Sequence, residues 1–297
     1  MSRPFLPLDH DAVVFPGANP EQRLAISQML GLLINASIAE MEDVIVKLRD
    51  LGWEKLLRKY PANPEMGRLG ELFFEEEAKH SVAFYRYIDL FCTQNGIDRE
   101  QMDLLLPKAF GSIFLKTIIL NARAGGHAFW WVVAAVEEVS IQLYKDLHHA
   151  RRQMDPLYHL IHLRHMEEES RHHNYAFLIL NLIDRMPRNP KRVLHLKTDL
   201  LLAQALSTGW VLGELQKVFH VKKMRTQNRF FRTLDSCLPL LMGQPWHRSL
   251  LQLFTRAPYL SLMLNANHHH KTLKMAGKQG AIRFPFPRPL PVVTKAS

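Results

Sequence analysis

Apolar residues in this chain recur at the three- and four-residue spacing of amphipathic helices. Between residues 20 and 185 this period predicts four long helices, at about 20–50, 64–92, 128–149 and 156–185. An extension of the first helix past Gly52 to Lys59 stays open. No alternating run of β-branched residues bounded by turns predicts a strand. The pattern therefore predicts an all-α protein whose core is a four-helix bundle.

Capping signals place the starts of three of these helices. Asn19-Pro20 precedes the first, and the pairs Asn63-Pro64 and Asp155-Pro156 open the second and fourth. A short helix follows residue 98, and weaker patterns predict further helices at about 192–218, 227–241 and 246–257. Residues 1–18 and the proline-rich C-terminus read as extended segments. We expect one domain over 1–297, with a core at about 20–185 and a helical C-terminal extension at about 190–297.

Metal-binding side chains share one face of the fourth predicted helix. With about 100° between successive residues, His165, Glu169 and His172 lie at roughly 0°, +40° and −20°. Two imidazoles and one carboxylate on one helical face make half of a metal site. The second predicted helix offers a matching half in Glu77 and His80.

The two half-sites lie at the same depth in their helices. Glu77 follows Pro64 by 13 residues, Glu169 follows Pro156 by 13, and each Glu precedes a His by three residues. At about 1.5 Å per residue, both lie roughly 20 Å along their helices. The acidic runs that contain them, residues 75–77 and 167–169, could instead be exposed faces. The repeated spacing favours a dinuclear metal site.

A dinuclear site of this kind takes one more Glu from each of the other two helices. On the third helix Glu138 lies level with Glu169, and Glu137, 100° away, is its competitor. On the first helix Glu42 has the more apolar neighbours, and Glu40 is the reserve. Four carboxylates balance two divalent ions, and mixed oxygen and nitrogen ligands suit iron, with manganese also possible.

These motifs resemble those of ferritin-like diiron proteins. The extra histidine four residues before the last Glu resembles the AurF-type p-aminobenzoate N-oxygenases, and the likeness covers about residues 20–185. By this resemblance, two iron ions (Fe2+/Fe3+) would be bound by Glu42, Glu77, His80, Glu138, His165, Glu169 and His172.

The resemblance also implies an activity. It predicts an enzyme that activates O2 and oxygenates an amine nitrogen, of an arylamine or a carrier-bound amino compound, through a peroxo-diferric intermediate. An electron donor would be needed. A diiron desaturase or hydroxylase acting on C–H bonds is the alternative, and a non-enzymatic ferritin-like iron-binding protein is a third. No motif identifies the substrate.

Composition and charge add limits on location and partners. The chain of 297 residues is 47% hydrophobic and carries a net charge of +10, which suits an acidic or anionic partner, but no nucleic-acid-binding motif accompanies it. Cys92 and Cys237 read as buried thiols of a reducing compartment. The longest apolar run, residues 128–136, is too short to cross a membrane. We expect a cytoplasmic homodimer without transmembrane segments.

Overall fold

The computed structural model describes residues 2–9, 13, 17–59, 64–124, 127–184, 199, 202, 214, 217, 220–221, 224 and 228–242. Every regular element in these ranges is helical, which confirms the all-α prediction. The α-helices are α1 (Pro20–Lys47), α2 (Lys55–Lys59), α3 (Pro64–Gln94), α4 (Arg99–Asp103), α5 (Ile113–Arg123), α6 (Ala128–His148), α7 (Pro156–Asp184) and α8 (Arg229–Met242).

Side-chain caps fix where α1 and α7 begin. The Asn19 side chain accepts a hydrogen bond from the Gln22 amide, and the Gln22 side chain accepts one from the Asn19 amide, which completes a capping box on α1. At the start of α7, one oxygen of Asp155 accepts from the amides of Leu157 and Tyr158. Because α3 and α7 both begin at the predicted prolines, their Glu-x-x-His motifs lie equally far along each helix.

The end of α1 differs from a straight continuation to Lys59. The α-helix stops at Lys47, a π-helical turn covers Asp50–Glu54, and α2 then completes the run. Gly52 lies in the wide turn, and a Cβ on it would come within 2.5 Å of the Phe129 ring. Trp130 donates a hydrogen bond from its ring nitrogen to the Gly52 carbonyl at 2.9 Å. Packing by α6 therefore shapes this turn.

The long helices pack in pairs around an aromatic core. Helix α1 packs along α3, α6 along α7, and α3 contacts α7. The N-terminal segment, expected to be extended, is anchored on this core. Phe5 and Leu6 are fully buried, and the amides of both donate hydrogen bonds to Ser27 Oγ on α1. The Phe5 ring stacks on Tyr158 and fills the space beside Gly31.

Part of the C-terminal extension is described. Helix α8 matches the helix expected at about 227–241 and packs against α1. The expected helices at 192–218 and 246–257 and the proline-rich tail lie outside the described residues, apart from isolated positions in the first. Within the ranges given above, no helix is both long and apolar enough to cross a membrane.

Candidate metal centre

Six of the seven predicted ligands converge in the core. They form two overlapping groups in which one nitrogen or oxygen per residue lies within 4.8 Å of all the others. All six side chains are buried. One group is Glu42, His80, His165 and Glu169, and the other is Glu77, His80, Glu169 and His172.

Glu169 lies at the centre of both groups. Its Oε1 is 2.8 Å from His165 Nε2 and 3.2 Å from His80 Nδ1, and its Oε2 is 3.4 Å from His172 Nδ1. On the α1 side, Glu42 Oε1 is 2.7 Å from His165 Nε2. On the α3 side, Glu77 Oε1 is 2.7 Å from His172 Nδ1. The side of α7 that carries His165, Glu169 and His172 thus lies against carboxylates of both α1 and α3.

Most polar atoms at this point have no hydrogen-bond partner. Several of these polar atoms lie close to one another, but the angles between them do not suit hydrogen bonds. The atoms concerned are Glu42 Oε2, both carboxylate oxygens of Glu77 and Glu169, and Nδ1 of His80 and His172. Each buried polar atom without a partner costs about 1–3 kcal/mol. A bound cation would satisfy these atoms together, because all of them can present a lone pair.

Two outer carboxylates orient the imidazoles. His80 on α3 donates from Nε2 to Glu168 on α7 at 2.6 Å, and His172 on α7 donates from Nε2 to Glu76 on α3 at 2.8 Å. Each of the two helices therefore supplies one histidine donor and one glutamate acceptor to the other. With one proton held on Nε2, Nδ1 of each ring faces the centre, and it can present its lone pair to a metal once any proton on Nδ1 has left.

Glu76 and Glu168 were not recognised in the sequence as parts of the site. The signal that could have found them is the pattern Glu-Glu-x-x-His, which occurs at residues 76–80 and again at 168–172. Burial opposes ionisation of Glu76, but hydrogen bonds from His172 and Arg171 outweigh it and lower the pKa of this carboxyl. Arg171 reaches Glu76 at 2.7 Å. Glu76 therefore favours its ionised form, in which it accepts hydrogen bonds from both of these residues.

Burial and neighbouring charges shift the pKa values of the groups in this centre. Burial raises the pKa of Glu42 well above its usual range, and the charges of Glu77 and Glu169 add to the effect. Burial opposes protonation of His172, but Glu77 and Glu169 outweigh it and raise its pKa to about 11. Burial lowers the pKa of His165 well below its usual value, with neighbouring His80 acting in the same direction. His165 is therefore a neutral imidazole.

The structure separates Glu42 from its reserve, Glu40. Glu40 accepts hydrogen bonds from the Tyr85 hydroxyl at 2.9 Å and from the Ala109 amide at 2.7 Å. These contacts tie α1 to α3 and to the segment before α5. Glu42 is 2% exposed and joins the His165 side of the centre. The preference for Glu42 thus agrees with the geometry.

The contribution of α6 differs from the preferred sequence interpretation. Neither of the two groups formed by the described residues includes a carboxylate of α6, so neither Glu138, which is half-buried, nor Glu137 belongs to them. Its neighbour Glu137 is 2% exposed, and its Oε1 has no hydrogen-bond partner. Because neighbouring helical residues differ by about 100° in direction, only one of the two can face the core. The burial favours Glu137 as the inward carboxylate.

Aromatic rings enclose the centre. Phe73 meets the His172 ring edge-on at 4.9 Å between centroids, and Phe84 meets the His165 ring at 5.0 Å. One turn before His165, His162 lies 2.9 Å from Asn35 through Nε2, and burial lowers its pKa to about 3. The centre is therefore screened from water by Phe73 and Phe84, with a neutral polar pair beyond it.

The donor set fits divalent ions that accept both oxygen and nitrogen ligands. Three buried carboxylates and three imidazoles are too rich in oxygen for a structural zinc site and are suitable for iron or manganese. No family model, no curated protein and no solved structure matches this chain. Fold and site together define an all-helical protein with a buried carboxylate–histidine cluster that could hold metal.

Proposed function

We propose that this chain is a ferritin-like diiron oxygenase whose metal centre lies between α1, α3 and α7. The observation that carries the proposal is the set of buried oxygen and nitrogen atoms without hydrogen-bond partners, which belong to two overlapping ligand groups. A chance cluster of this size in a hydrophobic core would cost several kcal/mol with nothing to offset it.

The two groups suggest how the ligands divide between two ions. Glu169 has two oxygens directed to different histidines, so it can serve both ions. Glu42 and His165 belong to one group, and Glu77 and His172 to the other. His80 occurs in both groups but offers a single inward nitrogen, so it would bind one ion. The α6 carboxylate, with Glu137 better placed than Glu138, would complete the set.

Charge balance supports a pair of divalent ions. Glu42, Glu77, Glu169 and one Glu of α6 give four negative charges when ionised, which two ferrous ions neutralise. Without metal, burial raises the pKa of Glu42, and the charges of Glu77 and Glu169 raise the pKa of His172, so both groups favour bound protons. Metal would replace those protons.

When bound, the iron pair would supply the redox chemistry for O2 activation, with further electrons from an external donor. The protein's part is to keep the site dry and fixed. Phe73 and Phe84 exclude water, while Glu76 and Glu168 retain the Nε2 protons of His172 and His80. The resemblance to the AurF-type family supports an amine nitrogen as the atom that is oxygenated.

The decisive experiment measures iron in protein grown with iron supplement and after anaerobic Fe(II) loading. The proposal expects about two iron ions per chain and oxygenated nitrogen products, seen by mass spectrometry, after O2 is added with a panel of arylamines. Glu77→Gln should lose iron, whereas Glu75→Gln, an exposed neighbour on the same helix, should retain it. On α6, Glu137→Gln should reduce iron content more than Glu138→Gln.

The outcomes separate the competing functions. Two irons with carbon-oxidised products and no nitrogen products would replace N-oxygenation by desaturation or hydroxylation. Iron uptake without turnover of any substrate would favour a non-enzymatic iron-binding protein. An absence of bound iron after loading would refute the diiron centre.

A further inference from the structure

The residues that face the candidate metal centre are closed off from the surface. Among the six grouped ligands, His80 is the most exposed at 7%, and Glu169 is fully buried. The proposed oxygenase needs electrons from an external donor, but a donor of protein size cannot touch a centre that is buried in this way. Each electron must therefore cross part of the protein, and oxidisable side chains along the way divide that crossing into shorter steps.

A continuous run of aromatic rings leads away from His172. Phe73 meets the His172 ring edge-on, with 4.9 Å between the ring centroids, and its own ring lies 5.6 Å from that of Tyr175. The Tyr175 hydroxyl in turn accepts a hydrogen bond from Nε1 of Trp53. Tyr175 is 4% exposed and Trp53 is 3% exposed, so these rings are enclosed in the core. The run therefore joins a predicted metal ligand to the indole of the π-helical turn.

The outer end of this run lies beside a charged group at the surface. The guanidinium carbon of Arg49 lies 5.1 Å from the centroid of the Trp53 ring, and the Arg49 side chain is partly exposed. Arg49 is paired with Glu71 at 2.6 Å and with Glu54 at 3.6 Å. When ionised, these three groups carry one positive and two negative charges. Together they do not oppose a positive charge on the neighbouring indole.

Hydrogen bonding decides which of the two oxidisable rings can lose an electron. The Tyr175 hydroxyl donates to the Met66 carbonyl at 3.0 Å. A phenol that loses an electron becomes strongly acidic, and a carbonyl oxygen is too weak a base to take its proton. The Trp53 indole can instead hold the positive charge as a radical cation that keeps its Nε1 proton in the bond to Tyr175. Trp53 is therefore the better resting place for an oxidising equivalent.

A second run of rings leads away from His165 but remains in the core. Phe84 contacts the rings of both His165 and His162, and the His162 ring lies 4.5 Å from that of Tyr158. The outer rings of this run, Tyr158 and Tyr87, are at most 1% exposed. The run from His172 is therefore the better connected to the surface.

We propose that Trp53 and Tyr175 form an electron path between the metal centre and the surface beside Arg49. This inference rests on the proposed diiron function. Trp53 gives up one electron, which crosses Tyr175 and Phe73 and reduces the oxidised iron pair by one electron. A one-electron donor at the surface, such as ascorbate, then returns one electron to the indole radical cation. Neither step adds a proton or an atom to the protein.

The test uses full-length, iron-loaded protein whose iron content has been measured. The protein is exposed to O2 without substrate or donor, frozen within milliseconds and examined by electron paramagnetic resonance. We expect a tryptophan radical, recognised because ring-deuterated tryptophan changes its line shape whereas ring-deuterated tyrosine does not. Trp53→Phe should abolish this signal, ascorbate should shorten its lifetime, and metal-free protein should not produce it.

A matched control is Trp131→Phe. Trp131 is fully buried, as Trp53 nearly is, but its ring is not in contact with Phe73 or Tyr175. This variant should keep the radical, and circular dichroism verifies that both variants fold. Peptide mass spectrometry of the unsubstituted protein gives a readout that needs no variant. After repeated exposure to O2, the indole radical combines with O2, so we expect added oxygen on Trp53 and none on Trp131.

The outcomes separate failure of the electron path from failure of the metal centre. Normal iron content with a tyrosine radical, with no radical, or with an unchanged signal in Trp53→Phe would overturn the path and leave the centre standing. Equal oxidation of Trp53 and Trp131 would also overturn the path. An absence of bound iron would overturn both inferences together.

Discussion

The orientation of two imidazole rings decides whether this core can bind metal. Each ring gives its Nε2 proton to a carboxylate of the facing helix, His80 to Glu168 and His172 to Glu76. Such outer carboxylates fix the tautomer and make the inward nitrogen more basic. The two carboxylates are therefore as much part of the candidate site as the residues that face its centre.

Removing an outer carboxylate should weaken metal binding without removing a ligand. We expect Glu168→Ala and Glu76→Ala each to lower metal affinity about 10–100-fold, because the ring can then rotate or change tautomer. Competition with a chelating dye measures the affinity. Glu167→Ala, an exposed neighbour on α7, serves as the control. Unchanged affinity in both outer variants would show that packing alone orients the rings.

Metal binding should compete with protons at His172. The raised pKa of about 11 means that this imidazole, between Glu77 and Glu169, is protonated at neutral pH when no metal is present. Loading must displace that proton, so affinity should rise with pH and fall as the solution becomes more acidic. Calorimetry in buffers of different ionisation enthalpy should detect at least one proton released per chain. Equal heats in all buffers would contradict this expectation.

At the scale of packed elements, a close contact at Gly31 determines how the N-terminal segment packs on α1. A Cβ built on Gly31 lies 2.5 Å from Phe5 Cβ, and the Phe5 ring is itself stacked on Tyr158. No described residue lies within 4 Å of a Cβ built on Gly67 in α3. The same substitution should therefore act in opposite directions at the two positions.

We expect Gly31→Ala to destabilise the fold by about 1–3 kcal/mol, because Phe5 must shift in a packed core. Gly67→Ala should stabilise it by about 0.5–1 kcal/mol, since alanine favours a helix and meets no neighbour. Denaturant unfolding of the two variants gives both free energies. A Gly31→Ala protein as stable as the wild type would mean that the N-terminal segment does not hold α1 in solution.

In the molecule as a whole, the centre joins three helices that are far apart in sequence. Glu42 lies on α1, Glu77 on α3 and Glu169 on α7, so a metal bound among them would cross-link the core. Ligands that bind only the folded state stabilise it by about 2.7 kcal/mol at 100 times their dissociation constant.

Chelation should therefore lower the melting temperature on the order of 5–10 °C, from about 2–4 °C per kcal/mol for a large domain. Differential scanning calorimetry of loaded and chelated protein measures the change. The Glu77→Gln variant should melt at the same temperature with and without iron. A chelation-dependent shift of equal size in that variant would place the stabilising metal elsewhere.

Local sequence signals determined much of this molecule. The helical period and the Asx-Pro caps predicted the long helices, including the starts of α3 and α7. Those starts and the spacing of Glu77, His80, Glu169 and His172 placed the side chains on matching faces. Helix geometry repeats every 3.6 residues, so these properties depend on near neighbours in the chain. The motifs resemble those of a diiron family, and membership of that family remains a prediction.

Tertiary packing decided the rest, because the direction in which a helical face points depends on what packs against it. Contacts from Tyr85 and Ala109 engage Glu40 and leave Glu42 for the centre. The packing of α6 buries Glu137 rather than Glu138. Because α3 packs against α7, Glu168 and Glu76 of the two acidic runs accept hydrogen bonds from His80 and His172 and so orient these rings. The sequence thus specifies which side chains each helix presents, and the packing of the helices selects those that meet.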